Sequence, residues 1–158
     1  FVGTHAAKVM EQANCPVLIV PSKATLAGKI RKIAVTTEFA KDEEQALEKV
    51  LGFAKSLGTH TECINVDLFH THQYYDRMAF WKQKFPNTEN VSFKVLEGDN
   101  LEPTIMKYLI NNEIDLLVML THKRSFIEDL FHYSITKKMA YHSSVPIMSI
   151  QAHSLVKK

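Results

Sequence analysis

Two short stretches carry side chains whose types and spacing could do chemistry. Thr121-His122-Lys123-Arg124-Ser125 sets cations beside an imidazole and hydroxyls, a combination suited to holding an anion or a phosphate group, although such a loop is also an ordinary solvated basic surface. His70 and His72 alternate. In extended backbone residues i and i+2 share a face, so both imidazoles could reach one metal ion. A structural metal site takes about four ligands, and only Asp76 or His122 offers itself as a further one, so no metal is assigned. His132 lies one turn after Glu128, an arrangement that is commonly a surface helix contact. The chain contains no CxxC, no HExxH, no complete P-loop and no Ser–His–Asp order. The sequence therefore predicts no catalytic residue and no enzyme.

Bulk properties narrow the partners. The chain has 158 residues, of which 46% are apolar and 23% charged, a composition suited to a globular domain. A formal net charge of +2 argues against a nucleic-acid or anionic-membrane partner. The basic and aromatic segment "YYDRMAFWKQK" fits helix packing better than base stacking, because Tyr74, Met78, Trp81 and Phe85 recur at helical spacing. No apolar stretch approaches the roughly 18 residues of a membrane span. "FVGTHAAKVM" lacks the basic start and apolar centre of a signal peptide. Cys15 and Cys63 sit in apolar contexts, which predicts buried, reduced thiols and a cytoplasmic location rather than a disulfide. The chain begins at Phe1 rather than Met, which suggests a fragment or a processed form.

The elements that must position these residues follow from periodicity. "RKIAVTTE" (31–38), "TECINVDL" (61–68), "VSFKVLEG" (91–98), "DLLVML" (115–120) and "VPIMSI" (145–150) read as strands. Between them, 42–58 is predicted helical with an Asp42–Gln45 capping box and Gly58 as its stop. "NLEPTIMKYLINNE" is a helix with Asn100 as N-cap and Pro103 in its first turn. Ile127, Phe131, Ile135 and Met139 mark a last helix. Strand–helix alternation of this kind predicts an α/β fold: an open, five-stranded parallel sheet of Rossmann-like type with helices on both faces.

The two ends of the chain look alike. A shift of 130 residues lays Lys8 on Lys138 and Pro16 on Pro146, Val17, Leu18 and Val20 on Ile147, Met148 and Ile150, and Gly3-Thr4 on Tyr133-Ser134. Residues 1–20 then read as the terminal helix and strand of a preceding domain, 21–30 as a linker, 31–153 as a complete domain and 154–158 as a basic tail. An orphaned helix and strand must bury an apolar face. The expected host is the equivalent edge of the complete domain, with Val17, Leu18, Ile19 and Val20 against Ile147, Met148 and Ile150 about a local two-fold axis.

"DLLVMLTHKRS" and "GTHAAKVMEQANCPVLIVP" resemble the fourth strand with its loop, and the closing helix and strand, of the universal stress proteins. These are αβ domains, often in tandem, of the adenine nucleotide alpha hydrolase-like type. The resemblance spans residues 31–151 and the tail at 1–20. In ATP-binding members the loop after strand four is similar to G-x2-G-x9-G-[ST], whose glycines let backbone amides approach phosphates. Here the three glycine positions map to Leu120, Lys123 and Tyr133, the [ST] position to Ser134, and no glycine occurs after Gly98. The family's acidic residue at the end of strand one corresponds to Glu38. The resemblance therefore implies a non-catalytic stress-response protein whose complete domain has a degenerate ATP-binding motif. Such a domain serves in intramolecular pairing of two copies or in dimerisation, and binds no cofactor. The alternative is an adenine-nucleotide-binding module, with at most slow hydrolysis, that uses Glu38, Thr121, His122, Lys123, Arg124 and Ser134.

Overall fold

Strands buried along most of their length build the architecture, Ile33–Thr36 and Thr61–Asp67 among them. In the computed structural model, residues 9, 13–21, 24, 28–85, 90–121 and 145–151 are described. The strands are β1 (Val17–Ile19), β2 (Lys32–Thr36), β3 (His60–Asp67), β4 (Val91–Glu97), β5 (Leu116–Thr121) and β6 (Ile147–Gln151). The helices are α1 (Glu44–Leu57), α2 (Gln73–Lys84) and α3 (Leu101–Asn111). They form one sheet in the order β1-β6-β5-β2-β3-β4. The pairs β6–β5, β5–β2, β2–β3 and β3–β4 are parallel, as the alternation predicts.

The sheet has six strands, not five. The additional one is β1, which lies antiparallel beside β6 with Val17 opposite Ser149, Leu18 opposite Met148 and Ile19 opposite Ile147. An open parallel sheet leaves a row of backbone donors and acceptors at its edge, and this short strand covers part of that row.

Each face of the sheet collects its own helices. On one face Ile33, Val35, Cys63, Phe93, Leu116 and Val118 pack with Ala46, Leu47, Val50 and Ala54 of α1 and Trp81 of α2. Tyr74, Met78 and Phe85 pack against the same cluster, so the predicted stripe of α2 is its inner face. On the other face Ala34, Ile64, Leu117, Met119 and Ile147 pack with Ile105 and Leu109 of α3. β5 is buried along Leu116–Leu120 because helices cover both of its sides.

The helix ends depart in detail from the sequence reading. Gly58 does stop α1, in a left-handed conformation with φ 65°. The start of α1 is a 3-10 turn over Lys41–Glu43, and the carboxylate that accepts from the backbone there is Glu43, not the expected Asp42–Gln45 box. Asn100 occupies the N-cap of α3, but its side chain makes no capping bond. Instead Thr104 Oγ1 donates to the Asn100 carbonyl at 2.7 Å. Cys63 is buried and free as expected, whereas Cys15, also free, is exposed beside the short β1 strand. The last predicted helix lies outside the described residues.

Candidate functional site

The carboxyl ends of the parallel strands gather most of the polar side chains of interest. Ligands in open αβ sheets bind at this edge, where strand order reverses, which here is between β2 and β5. Glu38, just beyond β2, is exposed there. Thr121 ends the neighbouring β5 and pairs with Gln151 of β6. His122, Lys123, Arg124 and Ser134 lie outside the described residues, as do Gly3 and Thr4.

The loop that carries Glu38 is held from below. Glu43 is fully buried, and its Oε2 accepts from the Thr37 hydroxyl at 2.6 Å and from the Glu38 and Ala40 amides at 3.0 Å each. Thr37 Oγ1 in turn accepts from the Phe39 amide at 2.9 Å. Asn65 Nδ2 donates to the Thr37 carbonyl at 2.8 Å. These bonds hold Phe39 at φ 53°, a left-handed conformation that costs an aromatic residue about 1 kcal/mol or more. Toward the same end of the sheet, Thr36 Oγ1 and Ser149 Oγ on one face and Asn65 Oδ1 on the other are buried without a hydrogen-bond partner. Buried polar atoms of that kind are uncommon and mark places where a polar group or water can be accommodated.

A second corner forms where β3 and β4 end. Asp67, shielded from solvent, accepts from three backbone amides of the following loop: His72 at 2.8 Å, and Phe69 and Thr71 at 3.3 Å each. Burial pushes the Asp67 carboxyl up, but these three donors together with the nearby His72 imidazole outweigh it and hold its pKa below the ordinary value. The loop carries His70 and His72, both in left-handed backbone with φ 51° and 58°. Asp67 sits opposite Glu97 in the sheet register. His70 Nδ1 lies 2.8 Å from Glu97 Oε2, and its Nε2 lies 3.3 Å from Asp99 Oδ1. Hydrogen bonds to Glu97 and then to Asp99 raise the pKa of His70. Tyr75 donates its hydroxyl to Glu97 Oε1 at 3.0 Å, and that bond raises its pKa.

Tyr74 connects the two corners electrostatically. Burial comes first in raising its pKa, followed by the negative charge of Glu38; Asp67 adds to the effect and Arg77 opposes it. Cys63, between the corners in β3, has its thiol pushed far up by burial and by the charge of Glu43, which suppresses thiolate chemistry.

The sequence reading found His70, His72 and Glu38 but not the carboxylates that accompany the histidines. Asp76 or His122 is the further ligand that the sequence suggests; among the described residues, which do not include His122, the group within ligand distance is Asp67, His72 and Glu97, without His70. The signal was present. Both acids terminate strands whose alternating neighbours, Cys63 and Asn65 or Phe93 and Val95, point into one face.

Comparison with known proteins now bears on this sheet edge. Residues 82–151 match the universal stress protein family. Among solved structures, the chain is similar to a universal stress protein from Archaeoglobus fulgidus DSM 4304, with a TM-score of 0.72 at 16% identity. That match covers 92% of this chain and 53% of the other, so this chain spans about half the length of that relative. A universal stress protein solved in complex with cAMP is similar at a TM-score of 0.60 and 12% identity, over 79% of this chain and 99% of the other. At these identities the likeness shows the universal stress protein fold. No curated protein matches the chain. Among the described residues, no helix is long and apolar enough to cross a membrane.

Proposed function

We propose that this chain is a non-catalytic stress-response protein of universal stress protein type, whose complete domain acts in pairing two domain copies rather than in holding ATP. The observation that carries the reading is the register at the sheet edge. Under the 130-residue shift Leu18 is the counterpart of Met148, and these two residues lie opposite each other. Val17 faces Ser149, the counterpart of Ile19, while Ile19 faces Ile147, the counterpart of Val17. An antiparallel pair centred on equivalent residues is what a local two-fold axis between two related copies produces. The mapped glycine positions, filled by Leu120, Lys123 and Tyr133, support the loss of a phosphate cradle.

The alternative is that the domain still takes an adenine nucleotide at the β2–β5 edge through Glu38, Thr121, His122, Lys123, Arg124 and Ser134. The partnerless polar atoms of Thr36, Asn65 and Ser149 favour it, and one relative of this fold was solved with cAMP. Calorimetric titration of ATP and of cAMP into the chain separates the two. The pairing reading expects no heat above dilution; micromolar binding of either nucleotide overturns it. The pairing itself is tested by Leu18→Asp and Met148→Asp, each expected to increase protease sensitivity or change elution volume. If neither variant does so, the pairing role is wrong.

A further inference from the structure

The corner at the ends of β3 and β4 has a donor set that the proposed pairing and nucleotide readings do not use. We propose that Asp67, His72 and Glu97 bind a divalent transition-metal ion of the zinc class, with His70 and Tyr75 orienting Glu97 from behind. One ligand atom from each of the three residues lies within 4.8 Å of the others. Tetrahedral ligation at about 2.0–2.2 Å places donor atoms about 3.4 Å apart, so the set must contract by about 1.4 Å at most. The side chains that must move lie at the surface: His72 is 70% exposed and Glu97 40% exposed.

Asp67 supplies the fixed point. Its carboxylate offers about four lone-pair sites, and backbone amides use three of them, which leaves one for an ion. His72 Nδ1 already lies 3.8 Å from Glu97 Oε1. Glu97 is steered through both oxygens, by His70 Nδ1 on Oε2 and the Tyr75 hydroxyl on Oε1, the kind of outer support that metal-ligating carboxylates require. Among the described residues, the side-chain partners of Asp67, Glu97 and Asp99 are imidazoles and a phenol, not lysine or arginine. A cation is therefore the natural complement of the corner.

The donor chemistry selects the ion. Imidazole nitrogen mixed with carboxylate oxygen suits zinc and its first-row neighbours, while calcium and magnesium prefer all-oxygen sets. Three protein ligands beside an open solvent face leave a coordination position for water or an external donor. The site is separate from the β2–β5 edge, so its test does not depend on nucleotide binding.

Zinc sulfate is titrated calorimetrically at neutral pH into the chain carrying no polyhistidine tag, with the same titration on His72→Ala, Glu97→Gln and His60→Ala. About one ion per chain is expected at micromolar affinity, weakened at least about tenfold by each of His72→Ala and Glu97→Gln and unchanged by His60→Ala. Both weakened residues are exposed, so circular dichroism is expected to show the parent fold, and two variants guard against a folding defect in one. Absence of zinc binding above background, or parent-like affinity in both ligand variants, overturns the proposal.

Discussion

Two loops leave neighbouring parallel strands at the same edge of the sheet, and each is organised by one buried carboxylate that collects backbone amides. After β2 the carboxylate is Glu43, which reaches back from the first turn before α1 to Thr37, Glu38 and Ala40. After β3 it is Asp67, which reaches forward from the strand to Phe69, Thr71 and His72. Both loops hold non-glycine residues in left-handed backbone: Phe39 in the first, His70 and His72 in the second. They differ in where the side chains go. Phe39 turns inward against Trp81 and Phe93, whereas Phe69, His70 and His72 turn outward. The same backbone device thus serves as a core clamp in one place and as a platform for polar donors in the other.

If Glu43 is the clamp, removing it should have the largest effect. Glu43→Ala leaves a buried hydroxyl and two amides without their acceptor and is expected to cost on the order of 3 kcal/mol or more in urea unfolding. Glu43→Gln, which keeps one acceptor oxygen, should cost roughly half as much. A Glu43→Ala variant with parent stability would remove the basis of the comparison.

The aromatic pair sharpens it. Phe39→Ala empties a packed position and should cost about 3 kcal/mol, while Phe69→Ala, at a residue 79% exposed, should stay within about 0.5 kcal/mol. Equal losses in the two variants, read from denaturation midpoints, would mean that the outer loop is as much part of the core as the inner one.

The smallest effect is acid-dependent. The Asp67 carboxyl titrates below its ordinary value of 3.8 in the folded chain, so its contribution to stability is present above that value. It is lost as pH falls through the lowered folded pKa. Carbon-detected NMR of the metal-free chain should place the Asp67 midpoint below 3.8, with amide protection of Phe69–His72 fading over the same range. A midpoint at or above the ordinary value would show that the loop amides do not hold the charged carboxylate.

Much of the fold is legible along the chain. "DLLVML" reads as a strand covered on both sides, and it is buried from Leu116 to Leu120. The three- and four-residue steps of Tyr74, Met78, Trp81 and Phe85 define the inner face of α2. Gly58 marks the end of α1 because only a residue tolerant of positive φ fits there readily. The candidate sites are less legible. Asp42 and Glu43 are adjacent acids before one helix, and sequence distance alone does not say which turns inward. The 3-10 turn decided in favour of Glu43.

By itself the sequence determined which segments are strands and helices and which sides of them are apolar, because those properties repeat with the local periods of the backbone. It also held the likeness of the two ends that made Leu18 and Met148 counterparts. Only the tertiary structure decided that Leu18 lies opposite Met148 and that Asp67 lies opposite Glu97 with His72 close to both. The period of two along a strand fixes which face each side chain takes, but which residues of which strands lie opposite one another is settled only when the strands pack into one sheet.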